Sequence, residues 1–439
     1  MQSLVLEIND IGLSVASRER VIACSPGQII CGADFARGKM LIGQAAADQR
    51  RINPRATHDR FWGWLNSAPL ARPVGRARSH ADLAWMHLRD LLEQVPGDDK
   101  RWLLLVPSQL DDTQLALLLG IAQNLGLNVA GLVAAPLAGA AAAAVERDCL
   151  VLDAQWHRFS ADRVSRDQQL WRMHAPAPIK GRGLGALMDS WARLAGEAFV
   201  TQTRFDPSHD AEIEQRLYSQ LPEWMERLSR EPSVVVELGV GTHRYTAELS
   251  AKPFVDAAQP FYRPLLDRIA QQPDCSLVLR HRLAGLPGLS ALLDQQGAGD
   301  VVVLDEHSPA QQVLDRADWI AVDSPDGIAH VVQMPVDDAA APTELQVSVD
   351  ESVPSHVLVD GRAMPIGRHG VGLDEQADGW RIERQAGGQV MLVGGAQGLN
   401  EAWLNDQAAV PPSPLSMGDR VRVGPREFLL LRVQGDGST

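Results

Sequence analysis

The sequence predicts an α/β domain followed by a short all-β sandwich, and three stretches carry that reading. Arg101 to Ala144 reads as strand, helix, strand and an alanine-packed helix, with Trp102 to Val106 an apolar run closed by Pro107, as a buried strand should be. Asp111 or Asp112 caps the helix that follows, Leu115, Leu118, Leu119, Ala122 and Leu125 mark one helical face, and Gly126 ends it. The second stretch is the start, where Leu4 to Ile8 and Leu13 to Ala16 flank Asn9-Asp10-Ile11-Gly12 as a hairpin. The third is Val357 to Val433, short strands and glycine turns without a helical period. Met334 to Ser355, dominated by Pro, Asp, Ala, Glu and Ser, separates the two as a linker.

A chain of 439 residues has room for two or three domains and a sizeable core. Its net charge of -14, and 41 basic residues read as scattered, argue against a nucleic-acid partner, because phosphate contacts need clustered Lys and Arg. Cys24, Cys31, Cys149 and Cys275 lack CxxC spacing and a nearby histidine pattern. They are therefore expected to be buried, inert thiols in a reducing compartment, with no metal site. MQSLVLEIND has no basic leader, and no apolar run approaches the ~18 residues of a spanning helix. The expected location is the cytoplasm, without membrane insertion.

Along the chain, Ser25-Pro26-Gly27, Ile42-Gly43-Gln44-Ala45-Ala46 and Asn53-Pro54-Arg55 follow the first hairpin. Ser79 to Val95 carries Leu83, Met86, Leu88, Leu91 and Leu92 at helical spacing and stops at Pro96-Gly97. Val106-Pro107, Asp111-Asp112-Thr113-Gln114, Gly126-Leu127-Asn128-Val129 and Pro136 come next. In this order the blocks resemble the ATPase domain of DnaK-type heat-shock chaperones, which share the actin-like fold. The resemblance covers residues 1–333 and implies a two-lobed actin-like ATPase fold, lobe I about 1–148 and lobe II about 149–333. The linker then occupies 334–355 and the sandwich 356–435.

The same resemblance shows where the family's nucleotide contacts are replaced. The first phosphate turn of the family is aspartate, leucine, glycine, threonine, threonine, whereas Glu7-Ile8-Asn9-Asp10-Ile11-Gly12 places a carboxylate beside the phosphate position. A catalytic lysine should follow Asn53-Pro54; Arg60 is the nearest cation, Trp62 is the better positional match, and the lysine is expected to be absent. Ala134 and Ala135 replace asparagine and glutamate. In Cys149 to Val164, Asp153 and Phe159 hold their places while Gln155-Trp156-His157-Arg158 replace the glycines and threonine of the second phosphate loop. Trp156 and His157 are expected in a surface turn, with a new site as the alternative.

Ile179 to Asp189 keeps Gly185 and Asp189, and its glycines are expected to make a turn. Arg216 to Ser229 aligns Pro222, Met225 and Glu226 with the family's adenosine contacts and retains only Ser229. A hairpin, Val234 to Leu238 and Tyr245 to Leu249, leads to a helix at Phe261 to Ala270. Ser276 to Leu293 keeps Leu286-Pro287-Gly288-Leu289, but His281-Arg282 stand at two glycine positions and are expected as a solvated strand end. Val301 to Leu304 and Ser308 to Ile320 close the domain.

In the C-terminal part, Pro365-Ile366-Gly367-Arg368, Trp403-Leu404-Asn405 and the run from Leu415 to Gly424 resemble a forkhead-associated domain, a reader of phosphothreonine peptides. The resemblance implies partner-binding residues Gly367 and Arg368, with Asn400 or Asn405 holding a peptide backbone. Acidic Asp374-Glu375-Gln376-Ala377-Asp378 stands where the family has its serine and histidine, which opposes phosphate.

Phosphoryl transfer needs phosphate loops, a metal-positioning carboxylate and a lysine. Their joint replacement leads to the expectation of a non-catalytic DnaK-like pseudo-ATPase scaffold in a bacterial-type assembly or regulatory complex. It has no catalytic residue and no cofactor, and it works through protein partners at the C-terminal sandwich. The alternatives are an active ATP-binding protein using Glu7, Asp153 and Arg282, and phosphopeptide binding through Arg368.

Overall fold

The computed structural model describes residues 2–336 apart from 31–39, 98, 168, 178, 180, 182, 296–299, 322–327 and 329. Towards the C-terminus it describes 354, 356–359, 362–366, 371–373, 379–384, 389–394 and 401–431. The chain divides into two compact units, Met1–Ala341 and Pro342–Thr439.

The first unit is mixed α/β and is built on two sheets with one plan. In the first, Gln2–Ile8 (β1), Gly12–Ala16 (β2) and Val21–Pro26 (β3) form an antiparallel meander, and Lys100–Val106 (β4) and Asn128–Ala134 (β5) add on parallel to β1. In the second, Cys149–Ala154 (β6), Phe159–Arg166 (β7) and Leu170–Met173 (β8) repeat the meander. Ser276–Leu279 (β9) and Val301–Val303 (β10) add on parallel to β6. The order is thus β3-β2-β1-β4-β5 in one sheet and β8-β7-β6-β9-β10 in the other. His330–Val331 then pairs with β5 and Gln333–Pro335 with β8, so two neighbouring pieces of chain reach both sheets. Gln333–Pro335 overlaps the start of the segment read from the sequence as linker, Met334 to Ser355, and Met334 is fully buried.

The strand-helix-strand reading of Arg101 to Ala144 has a local basis. Asp111 caps Asp112–Asn124, accepting the Gln114 N–H at 2.9 Å, while the Gln114 side chain accepts the Asp111 N–H at 3.1 Å. Gly126, at φ +74, turns the chain into β5. Ala135–Ala143 is buried between the sheets, with Leu103, Leu105 and Val133 on one side and Val151 and Val278 on the other. Small side chains allow that approach: a Cβ on Gly139 would lie 3.1 Å from Val151.

One helix is longer than the sequence suggests. Pro260 and Pro264 favour a start near Phe261, yet the helix runs from Ala251 to Ala270 because its buried stripe, Phe254, Ala258, Tyr262, Leu265 and Ile269, continues through both prolines.

In the second unit, His356–Val359, Arg362–Pro365, Ala402–Leu404, Gln407–Ala408, Arg420–Val423 and Arg426–Leu431 form one antiparallel sheet. Val371–Gly372, Arg381–Arg384, Val390–Val393 and Ser413–Leu415 form another. Val357, Val421, Phe428 and Leu430 of the first share a core with Ile382, Val390 and Leu392 of the second. The alternation of exposed and buried residues along Arg420–Val423 is that of a strand with one face inward.

Candidate functional site

The turns that close the two equivalent hairpins, residues 9–11 and 155–158, interlock. The Asp10 carboxylate accepts the backbone N–H of Trp156 and, at 3.3 Å, that of His157. Asn9 donates to the Ala154 carbonyl at 3.3 Å and accepts the Ile11 N–H at 2.9 Å. Successive N–H groups in a tight turn form an anion-binding concavity, and here a carboxylate of the same chain occupies it. Burial pushes the Asp10 carboxyl above its usual range, against the pull of the Trp156 N–H.

Behind the turns lies a buried ion-pair network. Arg280, only 1% exposed, follows β9 and places one guanidinium nitrogen 2.8 and 2.9 Å from the two carboxylate oxygens of Glu7 on β1. Arg282 bonds Glu7 at 2.8 Å and Asp153, on β6, at 3.1 and 3.2 Å. Burial alone would raise the Glu7 carboxyl, but the Arg280 and Arg282 charges hold it at about 2. The Arg282 guanidinium is stabilised in turn by Glu7 and Asp153, which outweigh its own burial.

The space left among Glu7, Asn9, Ser108, Asp153, Asp162 and Arg280 is about 10 Å³, the room of one water. Burial raises the Asp162 carboxyl to about 6, although Ser108 donates to it at 2.8 Å.

At the rim, Trp156 Nε1–H donates to Asp59 at 3.1 Å, His157 meets Asp59 at 3.3 Å, and Arg50 pairs with Asp59 at 3.4 Å while lying 4.5 Å over the Trp156 ring. Arg51 pairs with Asp189 and with Glu214, the latter at 3.5 Å. Gln215 accepts the Arg51 N–H at 2.7 Å and donates to the Ala47 carbonyl at 3.0 Å.

Two expectations about these turns need correction. Trp156 and His157 are not a plain surface turn: Trp156 is buried, and both are fixed by Asp10 and Asp59. Nor are His281 and Arg282 a solvated strand end. They open the short helix His281–Ala284, the Arg282 side chain is 11% exposed, and burial together with the Arg282 and Arg280 charges drives the His281 imidazole down to about 3.

The other positions have structural employment. Trp62 is buried and donates to His87 Nδ1 at 2.9 Å, while His87 Nε2 meets Ser25 at 2.9 Å. Arg60 lies on the exposed side, over Trp64. Ala135 starts the helix between the sheets. Pro222 lies inside the helix Ala211–Leu228, Met225 is buried there, Glu226 pairs with Arg230 at 2.8 Å, and Ser229 caps the end. Gly183 and Gly185 do more than turn the chain. A side chain on Gly183 would collide with the backbone of Gln155 to Arg158, and one on Gly185 would lie 2.7 Å from the Trp156 ring.

Of the partner-binding residues, Gly367, Arg368 and Asn400 lie outside the described residues, as do the acidic residues 374–378. Asn405 sits at φ 48 in a tight turn. Its amide donates to Asp419 at 2.7 Å and accepts the Arg420 N–H at 2.9 Å, so it is engaged within its own sheet. Cys149 and Cys275 are buried, with Cys149 pushed up to about 12 by burial, but Cys24 is exposed on the edge strand β3, contrary to the expectation of a buried thiol. Cys31 lies outside the described residues.

Sequence reasoning missed Arg280 and Asp59, and with them Arg50, Arg51, Ser108 and Asp162. A signal for the first exists: two apolar runs, LVLEI and SLVLR, each carry one charge, of opposite sign, near the end of a buried strand. Among the described residues, no group of three or more His, Cys, Asp or Glu is arranged to hold a metal ion, and no helix is long and apolar enough to cross a membrane. No protein-family model matches the chain, and no curated protein matches it significantly.

Proposed function

We propose that the first unit is a DnaK-like pseudo-ATPase of the two-lobed actin-like kind, and that the protein is a non-catalytic scaffold for protein–protein contacts in an assembly or regulatory complex. The repeated strand order, with each half opening on a hairpin, supports the fold part of this reading.

One observation carries the functional part: Arg282 bridges Glu7 and Asp153. Phosphoryl transfer relies on turns open to phosphate and on carboxylates free to position a metal. Here the carboxylates are held by arginines, the amides of the second turn are held by Asp10, and the hollow between them admits about one water. The convergence of Glu7, Asp153 and Arg282 is also what favours a nucleotide-handling alternative, while their mutual pairing supports the scaffold reading.

The test is calorimetry of the full chain with magnesium-ATP. The scaffold reading expects no binding heat at micromolar protein, and micromolar affinity would overturn it. Peptide capture by an Arg368→Ala variant separates the forkhead-associated reading: loss of phosphopeptide capture would support that module, and unchanged capture would dispose of it.

A further inference from the structure

The basic residues are less scattered than they first read. Residues 49–81 hold seven arginines and one acidic residue, Asp59, a formal +6 in a chain of net charge -14, so the remaining residues carry -20. Arg50 and Arg51 are engaged by Asp59, Asp189 and Glu214. Arg55, Arg60, Arg76 and Arg78 are exposed and form no ion pair among the described residues.

At the centre of this stretch stands Trp64, 54% exposed. The Arg60 guanidinium lies 4.9 Å over its ring, and the His80 ring meets it edge-on at 6.1 Å. Asn66 pins the loop, donating to the Trp64 carbonyl at 2.7 Å, reaching His80 at 3.3 Å and accepting the Ala81 N–H at 3.0 Å. The platform beneath is firm, since Ser79 and Asp82 form a capping box at the start of His80–Leu92. Arg78 lies directly before that cap. An exposed tryptophan with an arginine over its ring and a histidine at its edge, in an arginine-rich stretch, has the composition of a binding hot spot.

We propose that Trp64, Arg60, His80 and Arg78 form a docking surface for an acidic protein segment that also carries aliphatic side chains. Charge complementarity selects the acidic partner, and the tryptophan supplies the apolar anchor. A lipid surface fits less well, because Trp64 is the one large hydrophobic residue exposed in this stretch among those described. Single-stranded nucleic acid also fits less well, because Arg60 already covers one face of the ring and the chain carries a net charge of -14. The surface deepens the scaffold reading by naming the chemistry of a partner, and rests on it to that extent.

The test is fluorescence anisotropy of the full chain with a labelled peptide of about a dozen residues alternating Glu or Asp with Leu, against the same peptide with Gln and Asn in place of the acids. The acidic peptide is expected to bind, more weakly as salt rises from ~50 to ~300 mM. Arg60→Glu and Trp64→Ala should each weaken binding about tenfold or more with unchanged circular dichroism, and Arg78→Glu should weaken it in the same direction. Failure of the acidic peptide to bind, equal binding by the variants, or tighter binding of anionic vesicles or a single-stranded oligonucleotide at the same residues would overturn the proposal. The ATP calorimetry is independent, so failure of one reading is distinguishable from failure of the other.

Discussion

The carboxylate of Asp10, in the turn after β1, receives the backbone N–H of Trp156, in the turn after β6. Equivalent turns of two equally ordered sheets are thereby joined, and the shape of the second turn depends on an anion supplied by the first.

Asp10→Ala leaves two N–H groups without their acceptor. It should lower stability by about 2–4 kcal/mol in urea unfolding, since each buried unpaired donor costs about 1–3 kcal/mol. Asp10→Asn, which keeps an acceptor oxygen but not the charge, should lose less. Equal stability of Asp10→Ala and wild type would show that the turns do not need each other.

Glu7→Gln strips Arg280 of its counter-charge in the interior and should cost about 3–5 kcal/mol, the range for half-broken buried pairs. Adding Arg280→Met to Glu7→Gln should recover at least about 1 kcal/mol, because the unpaired charge is gone. The Glu7 carboxyl is held near about 2 in the fold, below its ordinary 4.5, so its contribution is complete above 4.5 and drains as pH falls from there towards 2. Acid unfolding of Glu7→Gln should lack that segment of the profile.

His87 titrates the other way round. Burial lowers its imidazole to about 4 from 6.5, so the unfolded chain takes up the proton first as pH falls through that window, and stability declines. His87→Gln, which can still accept from Trp62, should have lower stability at neutral pH but a shallower loss between pH 6.5 and 4. The slope should differ by up to about 3 kcal/mol across the window. Parallel melting-temperature profiles for the two proteins would contradict this assignment.

Two glycines of the helix Leu184–Thr203 should respond oppositely to alanine. A Cβ at Gly196 meets nothing within 4 Å, so Gly196→Ala should stabilise by about 0.5–1 kcal/mol through helix propensity. At Gly185 the same methyl lies 2.7 Å from the Trp156 ring, so Gly185→Ala should destabilise and alter tryptophan fluorescence. Thermal melts of both variants decide the matter.

Much of the framework was legible because local chemistry and tertiary packing agree. Asp111 or Asp112 marks a helix start, Asp111 is the one that caps it, and Trp102 to Val106 is apolar because β4 is buried. The contacts that build the site were not legible. Asp10 could be read as hostile to phosphate, but its partner is 146 residues away, and no periodicity reports a contact at that separation. Arg282 was misplaced for a related reason: a basic residue after a strand is usually solvated, and it is buried here only because Glu7 and Asp153 come from two other strands.

The pairing of His330–Val331 with β5 and of Gln333–Pro335 with β8 sets how the first unit yields to a mechanical load. Both short strands are outermost in their sheets, and the second is the last strand described in the first unit. A pull on the tail meets first the bonds of Val336 to Gln169 and Arg316, then the pairing of Gln333–Pro335 with Leu170–Met173, and only after these His330–Val331. The edge strand of the sheet built on β6 is therefore loaded ahead of the edge strand of the sheet built on β1.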